Sequence, residues 1–164
     1  MTTANPFNVY NPGPAFGIGS PWGWRTRNNI REKHPGQDFP ALQGTAIPAA
    51  ADGVVIWNKT LGGYGNCVVI KHTSLNGPVF YTLYAHLDQP PTLALGSPIK
   101  AGATVGLVGN TGQSNGFHLH FEVIPDQLNP LVKGHTTLDP LTFPQLKGSA
   151  SHYFWSNHAT PSAY

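Results

Sequence analysis

Charge is scarce in this chain. Asp, Glu, Lys and Arg make up 10% of its 164 residues, and the formal net charge is +2. A pI near 8.8 suits an anionic polymer surface. No basic run of the kind that tracks a phosphate backbone is present, so no nucleic-acid partner is expected. The single cysteine, Cys67, excludes an internal disulfide framework. It stands in the apolar strand pattern Gly65-Asn66-Cys67-Val68-Val69-Ile70, where a buried inert thiol is expected, not a nucleophile. Long helical periodicity is nearly absent, and no apolar run approaches membrane-spanning length, so no membrane insertion is expected. Met1-Thr2-Thr3-Ala4-Asn5-Pro6 has neither a basic start nor an apolar stretch, which reads as no signal peptide.

Turn formers and short apolar runs fill the space that charge and helix leave. Gly 19 and Pro 16 punctuate the chain, and 40% hydrophobic residues are enough for a packed core. Val, Ile, Thr and aromatics alternate in brief stretches, which predicts an all-β fold: a compact antiparallel β-sheet domain of short strands with long active-site loops. Gln43 to Trp57 reads as two strands joined by Ala51-Asp52-Gly53. Asn66–His72 is one strand and Pro78–His86 another, with Leu75-Asn76-Gly77-Pro78 as the hairpin turn between them. Gly96 to Gly109 holds two short strands, His118–Val123 one more, and Leu138 to Phe143 closes the domain. Leu61 to Gly65 and Gln89 to Leu95 read as loops, and Arg27 to Lys33 is polar and irregular. The expected organisation is an arm over residues 1–18, a domain over 19–145 and an aromatic tail over 146–164.

Histidine supplies the chemistry. In His118-Leu119-His120 the period of two sends both imidazoles to one face of a strand. His34-Pro35-Gly36-Gln37-Asp38 carries a type II turn signal at Pro-Gly that can bring His34 and Asp38 to one side. In Thr82-Leu83-Tyr84-Ala85-His86, alternation places His86 on the face of Tyr84 and Thr82. A catalytic zinc asks for three His or carboxylate ligands and an open position. Two imidazoles and one carboxylate leave such a site net positive, which acidifies a bound water. Further histidines are then free to move protons or steady an oxyanion. His72, His135, His152 and His158 have no evident partner and read as surface or structural residues.

These stretches, taken in order, resemble the lysostaphin-type zinc endopeptidases that cut peptide bonds in bacterial peptidoglycan. The resemblance runs from about Gly19 to Phe143. It rests on Trp22-Gly23-Trp24-Arg25, His34-Pro35-Gly36-Gln37-Asp38-Phe39, Gly44-Thr45 before Ala49-Ala50-Ala51-Asp52-Gly53-Val54, and Gly63-Tyr64-Gly65-Asn66. Tyr84-Ala85-His86-Leu87, the glycine-spaced Gly96 to Gly106 stretch, and Gly109-Asn110-Thr111-Gly112 leading into His118-Leu119-His120-Phe121-Glu122 complete it. It implies the peptidase fold of that family, with His34, Asp38 and His120 as zinc ligands and His86 and His118 as the catalytic pair. Gly36, Gly53 and Gly112 become backbone necessities at turns. Many family members carry a tyrosine ahead of the first ligand. None lies between Arg25 and Lys33 here, so Arg25, Arg27 or Asn28 would have to serve, or nothing does. Tyr64, Asn110 and Asn28 are the candidate lining of a substrate groove.

Two other readings compete. A wall-binding or regulatory module that keeps the fold is weighed against by the five filled site positions. A biotinyl- or lipoyl-type carrier needs an exposed lysine at a hairpin tip, whereas Lys100 reads as part of a strand. The expected partner is peptidoglycan. Other virion proteins or a second copy would meet the terminal segments, which carry Phe7, Tyr10, Tyr153, Phe154 and Trp155. Action on the bacterial cell wall fits a phage lysin, a virion-associated protein or a domain excised from a secreted enzyme.

Overall fold

Short apolar runs broken by glycine and proline leave strand pairing as the route to a core. The computed structural model describes residues 15–73, 79–125, 129–132 and 134–141. The first fourteen residues with Phe7 and Tyr10, Leu75 to Pro78 where a hairpin turn is expected, Thr142 and Phe143, and the C-terminal residues with His152, Tyr153, Phe154, Trp155 and His158 lie outside the described residues.

The strands are β1 (Gly23–Arg27), β2 (Ile30–His34), β3 (Gln37–Pro40), β4 (Ala46–Pro48), β5 (Gly53–Thr60), β6 (Asn66–His72), β7 (Phe80–Leu87), β8 (Pro98–Ile99), β9 (Thr104–Leu107) and β10 (His118–Pro125). One six-stranded antiparallel sheet has the order β3-β10-β7-β6-β5-β8, and β1–β2 and β4–β9 form two smaller sheets. The expected antiparallel all-β fold is therefore the one found. A single 3-10 turn, Gly62–Tyr64, occupies the loop read between β5 and β6. Where β3 ends, Leu138 takes over the edge of β10, its N–H donating to the Val123 carbonyl at 2.9 Å.

Alternation sorts the sheet into two faces. Phe39, Val68, Ile70, Tyr84, Leu119, Phe121 and Val123 pack with Ile47, the Ala49 to Ala51 run, Val105 and Val108 into the main core. Cys67, Val69, Leu83, Ala85 and Ile124 pack on the opposite face with Trp57, Tyr64 and Leu131. Cys67 is fully buried, and burial pushes its thiol well above the ordinary range, so it is the inert residue expected.

Several local expectations give way. Arg27 to Lys33 is not irregular: β1 and β2 form a hairpin whose turn residues, Asn28 and Asn29, have φ of 50° and 61°. Two left-handed residues make the I′ turn that matches strand twist. Pro35-Gly36 is not a type II turn, because Gly36 lacks the positive φ that such a turn needs. It crosses from the hairpin to β3 so tightly that a Cβ would stand 2.5 Å from the Phe121 carbonyl and 2.8 Å from His120 Nε2. Gly53 likewise opens a strand instead of a turn, while Gly112 (φ 74°) is the turn glycine expected. Lys100 follows β8 in an exposed turn and meets Asp52 at 3.3 Å. Its supposed place inside a strand is therefore no ground against a carrier domain. Phe16, read as arm, is 5% exposed in the core, and Gly17 and Gly19 donate to β3 carbonyls.

His86 breaks alternation. Tyr84 keeps to the main core, its hydroxyl accepting from Ala50 N–H at 2.9 Å and its ring 5.3 Å from that of Phe121. Two residues on, His86 should follow it. Instead its φ is 60°, and the register shifts between Asn66 and Val68 on the neighbouring strand. The ring swings to the other face, 4.8 Å from the His118 ring and 5.7 Å from that of His120. A left-handed histidine costs roughly 1–2 kcal/mol, strain of a kind concentrated at functional sites.

Candidate metal centre

Register builds the site. β10 places His120 directly opposite Asp38 on β3 and opposite Ala85 on β7. His34, at the end of β2, is swung over the same point by the Pro35-Gly36 crossing. His34 Nε2 lies 3.3 Å from Asp38 Oδ1, His120 Nδ1 lies 2.9 Å from the same oxygen, and the two nitrogens are 3.2 Å apart. A tetrahedral zinc with bonds of about 2.0–2.1 Å sets its ligand atoms roughly 3.3 Å apart. The triangle therefore fits zinc in donor type, donor number and spacing, and these three residues form the group among the described residues able to hold a metal ion.

Each imidazole around this point is oriented from behind. His34 Nδ1–H donates to the Pro21 carbonyl at 2.8 Å, and His120 Nε2–H to Glu122 at 2.8 Å. His86 Nδ1–H donates to the Thr111 carbonyl at 2.7 Å, and His118 Nδ1–H to that of Gly116 at 2.8 Å. With the outer nitrogen committed, the inner one is turned to the site: Nε2 of His34, His86 and His118, and Nδ1 of His120. His118 Nε2 lies 3.6 Å from Asp38 Oδ1, beside the triangle and not in it.

The charges lock together. Burial alone would raise the Asp38 carboxyl, but its bonds with His120 and His34 outweigh that and hold it well below the usual carboxylate range. Burial would lower His120; its bonds with Asp38 and Glu122 instead raise it to about 9. Without a metal the Asp38–His120 contact is thus bridged by a proton, which a cation there would replace. Burial and the neighbouring His120 charge push His86 down to about 4, which leaves it a neutral imidazole at pH 7.

Residues behind the triangle escaped the sequence reading. Glu122 is fully buried and accepts from His120, from Tyr64 Oη at 2.7 Å and from His135 Nε2 at 2.7 Å. His135, which seemed to have no partner, therefore belongs to this network. Tyr64, a groove candidate, has its hydroxyl committed to Glu122, with its ring 5.7 Å from that of His120. The clue available was parity: Glu122 is two residues past His120 on one strand and so shares its face. Changing Glu122 to Gln is expected to weaken zinc binding by about 10- to 100-fold, as for loss of a carboxylate behind a ligating histidine. Competition with a chromogenic chelator measures this. Affinity equal to the parent's would show that the carboxylate does not tune the ligand.

Arg25 is also drawn in. Its guanidinium holds Glu32 and Ser20 at 2.8 Å and stands 3.9 Å from Asp38 Oδ2, on the side away from the histidines. Asn28 sits in the β1–β2 turn, five residues along the chain from Gly23, the partner of His34. Asn110 accepts from Gly116 N–H at 3.0 Å and so shapes the turn that presents His118. His72 lies on the other face, bonded to the Asp52 carbonyl and Thr82, a structural role as expected.

The sequence matches the description "Peptidase family M23" over residues 32–131. It is 44% identical over 107 residues to the DD-carboxypeptidase/endopeptidase Mpg of Neisseria meningitidis serogroup B, covering 64% of this chain and 24% of that protein. Over 124 residues it is 36% identical to the peptidoglycan DD-endopeptidase ShyC of Vibrio cholerae, covering 76% of this chain and 27% of the other. The chain thus spans about a quarter of the length of these relatives. Among solved structures, the catalytic domain of the antimicrobial peptidase lysostaphin from Staphylococcus simulans superposes with a TM-score of 0.65 at 27% identity, covering 90% of this chain and 99% of that one.

Proposed function

The chain belongs to peptidase family M23, and from that premise we propose that it is a zinc endopeptidase hydrolysing a peptide bond in the stem or cross-bridge of bacterial peptidoglycan. The carrying observation is the His34–Asp38–His120 triangle with His86 and His118 ranged along one side of it. The names of the relatives support the substrate, and the DD-linked cross-link is the first bond to test.

His34, Asp38 and His120 are proposed to hold zinc, which when bound supplies a Lewis acid that polarises the scissile carbonyl and acidifies water. His86 Nε2 and His118 Nε2 then face the reacting atoms, His86 as a neutral imidazole. One takes the proton from water and, as the imidazolium so formed beside the developing oxyanion, passes it to the leaving amine; the other orients the water through its ring nitrogen. Arg25 balances Asp38 from behind. Glu122, with Tyr64 and His135 upon it, holds the His120 ring in place. The module that merely binds walls has no support from this arrangement, since all five side chains are present and oriented.

The peptidase domain is proposed to span residues 19–145, with residues 15–18 packed onto it. The arm and the aromatic tail are proposed to dock on the domain, a second copy or a larger particle. A phage lysin or virion setting is the narrower proposal, and the aromatic terminal residues support it. Digestion of purified walls is expected to release new amino termini at one type of cross-link, to stop after chelation and to resume with added zinc. Walls left intact by the zinc-loaded protein, across cross-link chemotypes, would refute this reading.

A further inference from the structure

The β1–β2 hairpin rises directly from the metal triangle, since His34 ends β2 and faces Gly23 at the base of β1. Register divides its side chains. His34, Arg25, Glu32, Arg27 and Ile30 share one face. Trp24, Lys33, Thr26 and Arg31 share the other. On that outer face the Arg31 guanidinium stands 5.2 Å from the Trp24 ring centroid and Lys33 Nζ 5.1 Å from that of Trp22. Trp24 is 66% exposed, far more than packing alone would leave an indole. The one acid of the hairpin, Glu32, lies on the inner face, bonded to Arg25. The outer face therefore carries one exposed indole, Trp24, capped by Arg31, and no carboxylate, while Lys33 reaches back to the half-buried Trp22, which precedes β1 and donates to Thr137 at 2.9 Å.

We infer that this outer face is a docking surface for the anionic wall polymer whose peptide crosses the metal site; the inference rests on the peptidase reading above. Indole faces take the C–H faces of sugar rings, and guanidinium and ammonium groups take the carboxylates of the peptides they carry. The cations are already stacked, so little side-chain freedom is lost on binding. The charge fits one class of occupant: in a chain of net charge +2, Arg27, Arg31 and Lys33 stand exposed on this one hairpin. Because the hairpin base holds His34, polymer held on the hairpin is also held beside the site.

The test is co-sedimentation with insoluble walls at several salt concentrations, using the zinc-loaded full chain carrying His118→Ala so that the polymer stays uncut. Adding Trp24→Ala or Arg31→Glu is expected to weaken binding about tenfold or more, as for loss of an aromatic or arginine anchor. Lys100→Glu, the same charge reversal away from the hairpin, is expected to stay within about twofold. Zinc content and melting temperature report whether the hairpin base survives. Should either hairpin variant lower them, Thr26→Glu, which adds a carboxylate to the same face without removing a packed side chain, is read with the same expectation. Binding equal to the parent's in these variants would overturn the assignment, as would an equal loss with Lys100→Glu. Self-association that the hairpin variants abolish would give the surface to a second copy and overturn it too. If the zinc-loaded chain with His118 intact binds walls through the hairpin but cuts none, that counts against the peptidase reading alone.

Discussion

Replacing Asp38 with alanine is expected to yield a folded protein that no longer retains zinc through dialysis. Two arguments converge. A catalytic zinc rests on three protein ligands, and removing one leaves His34 and His120 alone with a dication. The second argument is electrostatic. Asp38 is the anion among the three proposed ligands, and Arg25 stands 3.9 Å behind it. Without the carboxylate, the guanidinium loses part of its compensation and repels a cation a few ångströms away. The loss should therefore exceed the roughly 10- to 100-fold expected for changing Glu122, which acts through His120. Asp38→Asn separates the two effects, because it keeps the shape and removes the charge. Metal analysis of the dialysed proteins decides the matter. A full equivalent of zinc in Asp38→Ala would remove that residue from the ligand set.

Most of the sheet was legible because its strands are two-faced. Asn66 to His72 and His118 to Val123 alternate or run apolar over a strand's length, and β6 and β10 lie there. Spacing offered His34, Asp38, His86, His118 and His120 as candidates, and it was the resemblance to the lysostaphin-type endopeptidases that singled out His34, Asp38 and His120, which the fold brings together. What alternation could not carry was its own exception. The φ of 60° at His86 comes from a register shift against β6, a property of two strands that neither shows alone. The β1–β2 hairpin was missed because its strands are polar on both faces and its Asn-Asn turn lacks the glycine that marks such turns. His135 was invisible because it reaches Glu122 from a separate segment past the end of β10. A buried carboxylate with three donors is a product of the whole fold.

The two histidines of His118-Leu119-His120 are chemically identical and share a strand face, so the division of labour proposed for them rests on position. His120 is opposite Asp38, is 5% exposed and is backed by Glu122. His118 is less buried, with its inner nitrogen 3.6 Å from Asp38 and its outer one tied to the Gly116 carbonyl. His120→Ala is accordingly expected to lose the metal. His118→Ala should keep a full equivalent of zinc and the parent's melting temperature while losing on the order of a hundredfold or more in turnover, the usual result of removing an acid/base or oxyanion group. His86→Ala should behave like His118→Ala in rate. It also relieves the backbone strain only in part, because alanine too disfavours a φ of 60°. If the two imidazoles near each other divide base and acid roles, the double variant should fall less than the product of the single losses, since groups acting on one proton path are not additive. Zinc content and turnover measured on the same preparations separate these outcomes. Metal lost from His118→Ala and kept in His120→Ala would mean that the roles are reversed, and the 2.9 Å contact of His120 with Asp38 would then be only a structural ion pair.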